Sequence, residues 1–278
     1  MTTQSTGPGV GFRPVALLTA AHIGPGLAVT TVVGVLSAAH DLSAATAVFL
    51  TAGAFAGQLT VGWGNDLLDA GRDRLVGRTD KPVATGELSP ALVAACLVVA
   101  GAACVALSLA AGWRSGLVHL LLGVAAGHAY NLGLKATVFS WLPYAVAFGS
   151  LPAAVTLAGS TPDAPPWWMV SAAAGLGVAA HLLNTLPDFA ADAATGIQGL
   201  PHRLGARVTR VLATFLLVAA SAVAVIGAPG RPSAGTWAAL GVVLVLAAVT
   251  LAGRGKAPFH AAIAIALLDV ALLAAVSG

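Results

Sequence analysis

Charge is the scarcest property of this chain. Only 8% of its 278 residues are Asp, Glu, Lys or Arg, with 10 acidic against 13 basic side chains. A soluble domain carries about three times that share, so an ordinary water-solvated surface is excluded. Cysteine is nearly missing as well. Cys96 and Cys104 lie eight positions apart, about 12 Å along one predicted helix and too far to bridge, so no disulfide is expected. No glycine-rich loop of the kind that cradles nucleotide phosphates occurs. The basic excess of +3 is spread over loops, which does not indicate nucleic acid as a partner. Met1 to Gly11 carry no positive charge, so no cleaved signal peptide is expected.

What fills the chain is apolar. With 58% hydrophobic residues and a mean hydropathy of +0.91, it reads as an all-α, polytopic membrane protein. Nine apolar runs are long enough, or nearly so, to cross a bilayer: 15–37, 44–63, 90–111, 115–133, 138–158, 167–187, 207–227, 235–252 and 257–276. Pro25, Pro143 and Pro152 interrupt some of them, which membrane helices tolerate when neighbours satisfy the freed backbone. Glycine pairs four apart, Gly53 with Gly57 and Gly123 with Gly127, allow close helix approach. The connections are short, so one domain is expected over 1–278, with a flexible tail at 1–12.

Basic residues set the orientation. Nine spans place Arg13, Arg72, Arg74, Arg78, Lys81, Lys135, Arg203, Arg207, Arg210, Arg254 and Lys256 on the side of the N-terminus. The other side receives Arg114 and Arg231 with Trp113, Trp167, Trp168 and Trp237. That asymmetry makes the N-terminal side cytoplasmic and puts the C-terminus outside, with a bacterial cell membrane as the expected location.

The few acids are not scattered. Asn65, Asp69, Asp73, Gly77 and Pro82 recur 119 positions later as Asn184, Asp188, Asp192, Gly196 and Pro201. On a helix, residues four apart stand about 6 Å apart along one face. Each copy therefore predicts a ladder of an amide and two carboxylates, and stacked like charges call for cations. Both ladders fall on the cytoplasmic side, in loops 64–89 and 185–206, after the second and sixth spans. That placement predicts two pseudo-repeated halves related by an axis along the membrane normal, facing one mouth. Asp66 adds a further carboxylate. Oxygen donors without His or Cys point to magnesium or calcium rather than zinc. Arg72, Arg74, Arg78 and Lys81 follow the first ladder, His202 and Arg203 the second, and Lys135 joins from another loop. Carboxylates, a divalent ion and basic groups at the mouth of an apolar chamber make a diphosphate site for a substrate with an apolar tail.

These motifs resemble the UbiA superfamily of intramembrane prenyltransferases. The resemblance rests on Asn65, Asp66, Asp69 and Asp73 after the second span, and on Asp188 and Asp192 after the sixth. It extends to the turn Lys81-Pro82 with Gly86, to the run from Gly199 to Gly205, and to Tyr130 with Lys135, over about residues 13–276. Lys81 departs from the usual arginine, and the second ladder lacks a basic residue directly after its last aspartate. The resemblance implies two or more Mg²⁺ ions held by Asn65, Asp66, Asp69, Asp73, Asn184, Asp188 and Asp192, bridging an allylic isoprenyl diphosphate. Asp69, Asp73, Asp188, Asp192 and Lys135 are then the expected catalytic residues. Arg72, Lys81, Tyr130, Lys135 and Arg203 are the expected diphosphate contacts.

Trp141, Tyr144 and Phe148 share a helical face suited to line the chamber, or simply to pack. His181, in line with Asn184, either touches substrate or makes a structural hydrogen bond, and Gln58 on the face of Asn65 has the same two readings. His128 reads as structural. His22 and Asp269 have no partner visible in sequence. The expected activity is transfer of a prenyl group to an aromatic or other lipophilic acceptor, in contact with membrane lipid. The alternative is a terpene cyclase of the same superfamily that needs no acceptor. An acidic acceptor would want a basic residue near the first two spans, and none lies between Arg13 and Arg72. An ion-coupled transporter fits less well, because its sites lie near midplane. A CDP-alcohol phosphotransferase fits less well because Ala70, not glycine, follows Asp69.

Overall fold

Apolar runs removed from water must satisfy their backbone internally, and the chain does so as helices. The computed structural model describes residues 13–253 and 257–277, and no strand occurs among the described residues. The expected tail 1–12, Arg254 and Lys256 lie outside them.

The elements are α1 (Pro14–Ala20), α2 (Ile23–Ala39), α3 (Ala44–Leu75), α4 (Pro82–Thr85), α5 (Pro90–Ala110), α6 (Trp113–Val118), a π-helical segment (His119–Val124), and α7 (Ala125–Asn131). A 3₁₀ turn at Leu134–Ala136 leads to α8 (Leu142–Thr156) and α9 (Trp167–Thr185). A second 3₁₀ turn (Leu186–Asp188), α10 (Phe189–Ala194), α11 (Leu200–Gly227), α12 (Ala234–Ala252) and α13 (Ala257–Ser277) complete the chain. Helices occupy all nine apolar runs. By length and apolarity five helices among the described residues (α3, α5, α9 with its 3₁₀ extension, α11 and α12) are able to cross a bilayer. The pair α1–α2, bent by 72°, makes a sixth if counted as one span. Exposed Val98, Val99, Phe215, Val245 and Leu267 on the flanks suit lipid rather than water.

Packing sets α3 against α2 and α5, and α9 against α8 and α11, while α13 returns to α2. One apolar cluster, with Leu36, Leu50, Val155, Met169 and Leu217, ties most of these helices together. A second, with Leu17, Trp63, Val83, Leu88 and Val93, lies under α1 and α4.

The two acidic stretches end alike. Gly77 (φ 69°) and Gly196 (φ 78°) adopt the left-handed conformation that closes a helix. Beyond each, Arg78 N–H reaches Asp73 O at 3.0 Å and Ile197 N–H reaches Asp192 O at 2.9 Å. The glycine four residues after the last aspartate thus turns the chain back over its own ladder. Pro82 and Pro201 then each open a new helix, where a missing N–H costs nothing.

The ladders themselves differ, which corrects one expectation. The first stands on an unbroken helix, because α3 runs through to Leu75 with Arg72 and Arg74 in its last turn. The second does not: Asn184 ends α9, Asp188 closes a 3₁₀ turn, and Asp192 stands on the short α10. Pro187 is the cause, since it lacks an N–H and its ring crowds the carbonyl of Leu183.

Candidate active site

Asp69 of the first ladder is already paired by its neighbours. Lys135, carried on the 3₁₀ turn after α7, donates to both oxygens of Asp69, at 2.7 Å to Oδ1 and 2.5 Å to Oδ2. Arg72 Nη2 lies 2.6 Å from Asp69 Oδ1, and Asn65 Nδ2 donates to Asp69 Oδ2 at 3.0 Å. Burial holds the Lys135 ammonium below the usual lysine range, against the Asp69 hydrogen bonds that raise it. Asp66 is fully buried and accepts the Val83 backbone N–H at 3.2 Å, with Lys81 3.7 Å away. It ties α3 to α4. Lys81 is buried too, and donates to Asn65 Oδ1 at 3.3 Å. Asp73 is buried, and its Oδ2 has no hydrogen-bond partner among the described residues.

The second ladder is looser. Asp188 is half-exposed and meets Arg78 Nη1 at 3.4 Å, a contact that links the two motif loops. Arg78 also grips Asp80 through two nitrogens, at 2.8 and 2.7 Å, and holds that carboxyl at about 2. Asp192 lies 3.4 Å from His202 Nε2, and His202 stacks on Phe189 at 4.6 Å. Burial raises the Asp192 carboxyl against the pull of His202. Asn184 is exposed at the end of α9. Arg203 is exposed and turns its Nε to Gln198 O at 3.1 Å. A cavity of about 260 Å³ opens here between Phe189, Ala193, Gln198, His202 and Arg203. A second, of about 470 Å³, lies by Arg207, Arg210 and Leu251 and touches neither ladder.

The second motif loop is held by a close approach to the turn after α7. A Cβ on Gly199 would stand 2.6 Å from Lys135 O and 2.9 Å from Ser140 Oγ, so the second loop lies directly on the turn that carries Lys135. Ser140 Oγ accepts the Leu200 N–H at 3.0 Å and shares a 3.0 Å hydrogen bond with His181 Nε2.

Beside the ladders stands an aromatic wall drawn from three helices. Tyr130 meets Tyr144 edge-on at 5.3 Å and His181 at 5.6 Å, while Tyr144 lies 4.8 Å from His181 and 6.3 Å from Phe148. Trp141, expected on that face, is half-buried at the start of α8 and makes no ring contact with it among the described residues. Gln58 is half-buried against Gly26 of α2. His128 bonds Thr60 at 3.2 Å, and Asp269 accepts from Ser221 within the bundle. His181 makes the structural bond to Ser140, while its Nδ1 is buried with no hydrogen-bond partner among the described residues.

Two residues that matter to this geometry have partners that the sequence does not show. Asn131 accepts from Asn65 at 3.2 Å and donates to Val61 O at 2.9 Å, which orients the amide of the ladder. His22 contacts Lys81 at 2.8 Å. Each is one polar side chain in an apolar run, and nothing local to it names its partner.

Among the described residues no three His, Cys, Asp or Glu side chains are gathered closely enough to hold a metal. Ammonium and guanidinium groups occupy that space instead. The donor set still fits a hard divalent cation: it is all oxygen, and Asp73 Oδ2 is buried with its acceptor capacity unused.

Fold and site together define an all-helical membrane protein in which two acidic stretches and a set of basic side chains converge at the ends of α3, α7 and α9. Residues 27–273 match the UbiA prenyltransferase family, and the chain belongs to that family. The fold is shared with a UbiA homologue from Archaeoglobus fulgidus bound to GPP and Mg²⁺, at 16% identity and a TM-score of 0.70 over 94% of this chain and 99% of that one. An apo UbiA homologue from Aeropyrum pernix K1 is similar at 19% identity and 0.71, over 95% and 98%. A structure described as digeranylgeranylglyceryl phosphate synthase is similar at 14% and 0.69, over 95% and 98%. No curated protein matches.

Proposed function

We propose that this protein is a Mg²⁺-dependent enzyme that ionises an allylic isoprenyl diphosphate and passes the prenyl group to an aromatic or other lipophilic acceptor. The observation that carries the reading is the interleaving of charge. Lys135 and Arg72 sit on Asp69 of the first ladder, and Arg78 reaches from the same half to Asp188 of the second. The A. fulgidus relative, bound to GPP and Mg²⁺ and in another structure to DMAPP and Mg²⁺, supports it.

In this reading Asn65, Asp69, Asp73, Asn184, Asp188 and Asp192 hold the metal, while Asp66 stays on Val83 as the anchor of α4. Bound Mg²⁺ supplies positive charge where the diphosphate leaves. Lys135 and Arg72 turn from Asp69 to the departing phosphate oxygens, whose negative charge grows as the carbon–oxygen bond breaks, so they favour the transition state over the bound substrate. Lys81 adds an ammonium from the α3–α4 side, and Arg203 swings from Gln198. Tyr130 hydrogen-bonds the diphosphate, and the ring faces of Tyr144 and Phe148 attract the allylic cation. Nine membrane crossings in two pseudo-repeated halves, with both motif loops in the cytoplasm, belong to the same proposal.

The test is to incubate purified protein with Mg²⁺ and a panel of isoprenyl diphosphates, with and without acceptors, and to identify products by mass. Consumption that stops with chelator, and that Asp69→Asn or Asp188→Asn removes in folded protein, is expected. Full turnover in either variant would refute the paired-carboxylate mechanism. A hydrocarbon or terpene alcohol formed without acceptor, as fast as diphosphate is released, would replace transfer with cyclisation.

A further inference from the structure

His22 occupies a strained position that the reaction so far does not use. It stands between α1 and α2 with φ 51° and ψ 52°, one of two residues other than glycine with positive φ among those described. Such a backbone costs about 1–2 kcal/mol for an L-residue. The surroundings nevertheless hold it firmly. Trp63 Nε1 donates to Leu17 O at 2.9 Å, and His22 N–H donates to Thr19 O at 3.0 Å. Gly62 of α3 lies so close that a Cβ there would be 2.1 Å from Ala21 O. The break is therefore clamped onto α3 two and three residues before Asn65, where the first ladder starts.

What the clamp delivers is an imidazole. His22 Nε2 lies 2.8 Å from Lys81 Nζ, and Asn65 Oδ1 lies 3.3 Å from the same nitrogen. An ammonium only donates, so Nε2 is the acceptor and the neutral ring carries its proton on Nδ1. Asp66, at 3.7 Å, pairs with Lys81 by charge without a hydrogen bond. Two of the three ammonium hydrogens are thereby fixed by α3 and the α1–α2 break, and no hydrogen-bond partner for the third occurs among the described residues, which leaves it to offer to a phosphate oxygen. A lysine on its flexible stem otherwise places its charge poorly, unlike the planar fork of arginine.

We propose that His22 is a positioning residue that aims Lys81 at the diphosphate, an inference that rests on the diphosphate site proposed above. The test uses the full-length protein in lipid nanodiscs, with inorganic pyrophosphate and Mg²⁺ as the probe, and the variants Lys81→Ala, His22→Asn, His22→Gln and the double variant of the first two. Asparagine tolerates the left-handed backbone but is too short to reach Lys81. His22→Asn is expected to weaken pyrophosphate binding about tenfold, as loss of a hydrogen bond to a charged group does. His22→Gln, which keeps an acceptor, is expected to recover part of it. The double variant is expected to bind no more weakly than Lys81→Ala alone, since it is through the contact with Lys81, rather than the one with Asn65, that His22 is proposed to act. Wild-type binding in His22→Asn or in Lys81→Ala, or losses that multiply in the double variant, would overturn the proposal. Asp69→Asn, measured alongside, separates the two readings. If it too binds like wild type, the diphosphate site itself is wrong.

Discussion

Replacing Lys135 by methionine should move three measurable quantities, not all in the same direction. Lys135 is 8% exposed, and its ammonium contacts both Asp69 oxygens. Removing one member of a buried ion pair costs about 3–5 kcal/mol when the other is left alone. Asp69 is not left alone, because Arg72 at 2.6 Å and Asn65 at 3.0 Å remain. The metal-free variant should therefore lose about 1.5–3 kcal/mol, the worth of hydrogen bonds to a charged group, measured by denaturation in detergent with chelator. The same change frees carboxylate oxygens that Lys135 had occupied. Mg²⁺ without diphosphate should then stabilise the variant more than the wild type, in proportion to the logarithm of its tighter binding. Turnover should fall about 10²–10³-fold, the usual cost of removing one donor aimed at developing negative charge. Wild-type turnover would refute that role for Lys135. Weaker Mg²⁺ binding in the variant would refute the exchange of Asp69 between ammonium and metal.

Two further predictions follow from the loops. Gly199→Ala places a methyl 2.6 Å from Lys135 O, so the second loop must shift. Turnover should drop at least about tenfold with helix content unchanged by circular dichroism, and wild-type kinetics would show that the loop contact is not functional. Reporter fusions at the two ends should label opposite sides of the membrane, with the N-terminus cytoplasmic. The same side for both would mean an even number of crossings.

The first ladder was legible because local rules suffice for it. Asn65, Asp69 and Asp73 ride a single helix whose end is marked by Arg72, Arg74 and Gly77, all readable as spacing. The second carried a warning in plain view. Pro187, between Asn184 and Asp188, breaks the regular helix that four-residue spacing assumes. Contacts between distant segments were beyond reach. Lys135 and Asp69 are 66 positions apart, and Lys81 and His22 are 59; the motifs place Lys135, Asp69 and Lys81 at the mouth and His22 inside the first span, but nothing in the sequence pairs them. The aromatic wall shows both cases. Tyr144 and Phe148 follow from one helix face, whereas Tyr130 and His181 join from α7 and α9 through tertiary packing.

The two ladders are alike in sequence yet unlike in electrostatics. Asp69 has both oxygens within 2.7 Å of cationic nitrogen, and Asp66 is fully buried against α4. Asp188 and Asp192 have only contacts of 3.4 Å, with Arg78 and His202, and Asp188 is half-exposed. The Arg78–Asp188 contact, partly exposed on both sides, contributes little to stability, about 0–1 kcal/mol. In the proposed reading a metal–diphosphate pair would displace little at Asp188 and would have to break the Lys135 contact at the first ladder. On that reading Asp188 would engage first, and filling the first ladder would release Lys135 and Arg72 toward the phosphates. Variants inherit the same asymmetry. Asp69→Asn mixes loss of turnover with loss of an internal ion pair, whereas Asp188→Asn leaves the resting fold nearly untouched. A loss of turnover at Asp188 is thus the cleaner sign that these carboxylates serve chemistry rather than architecture.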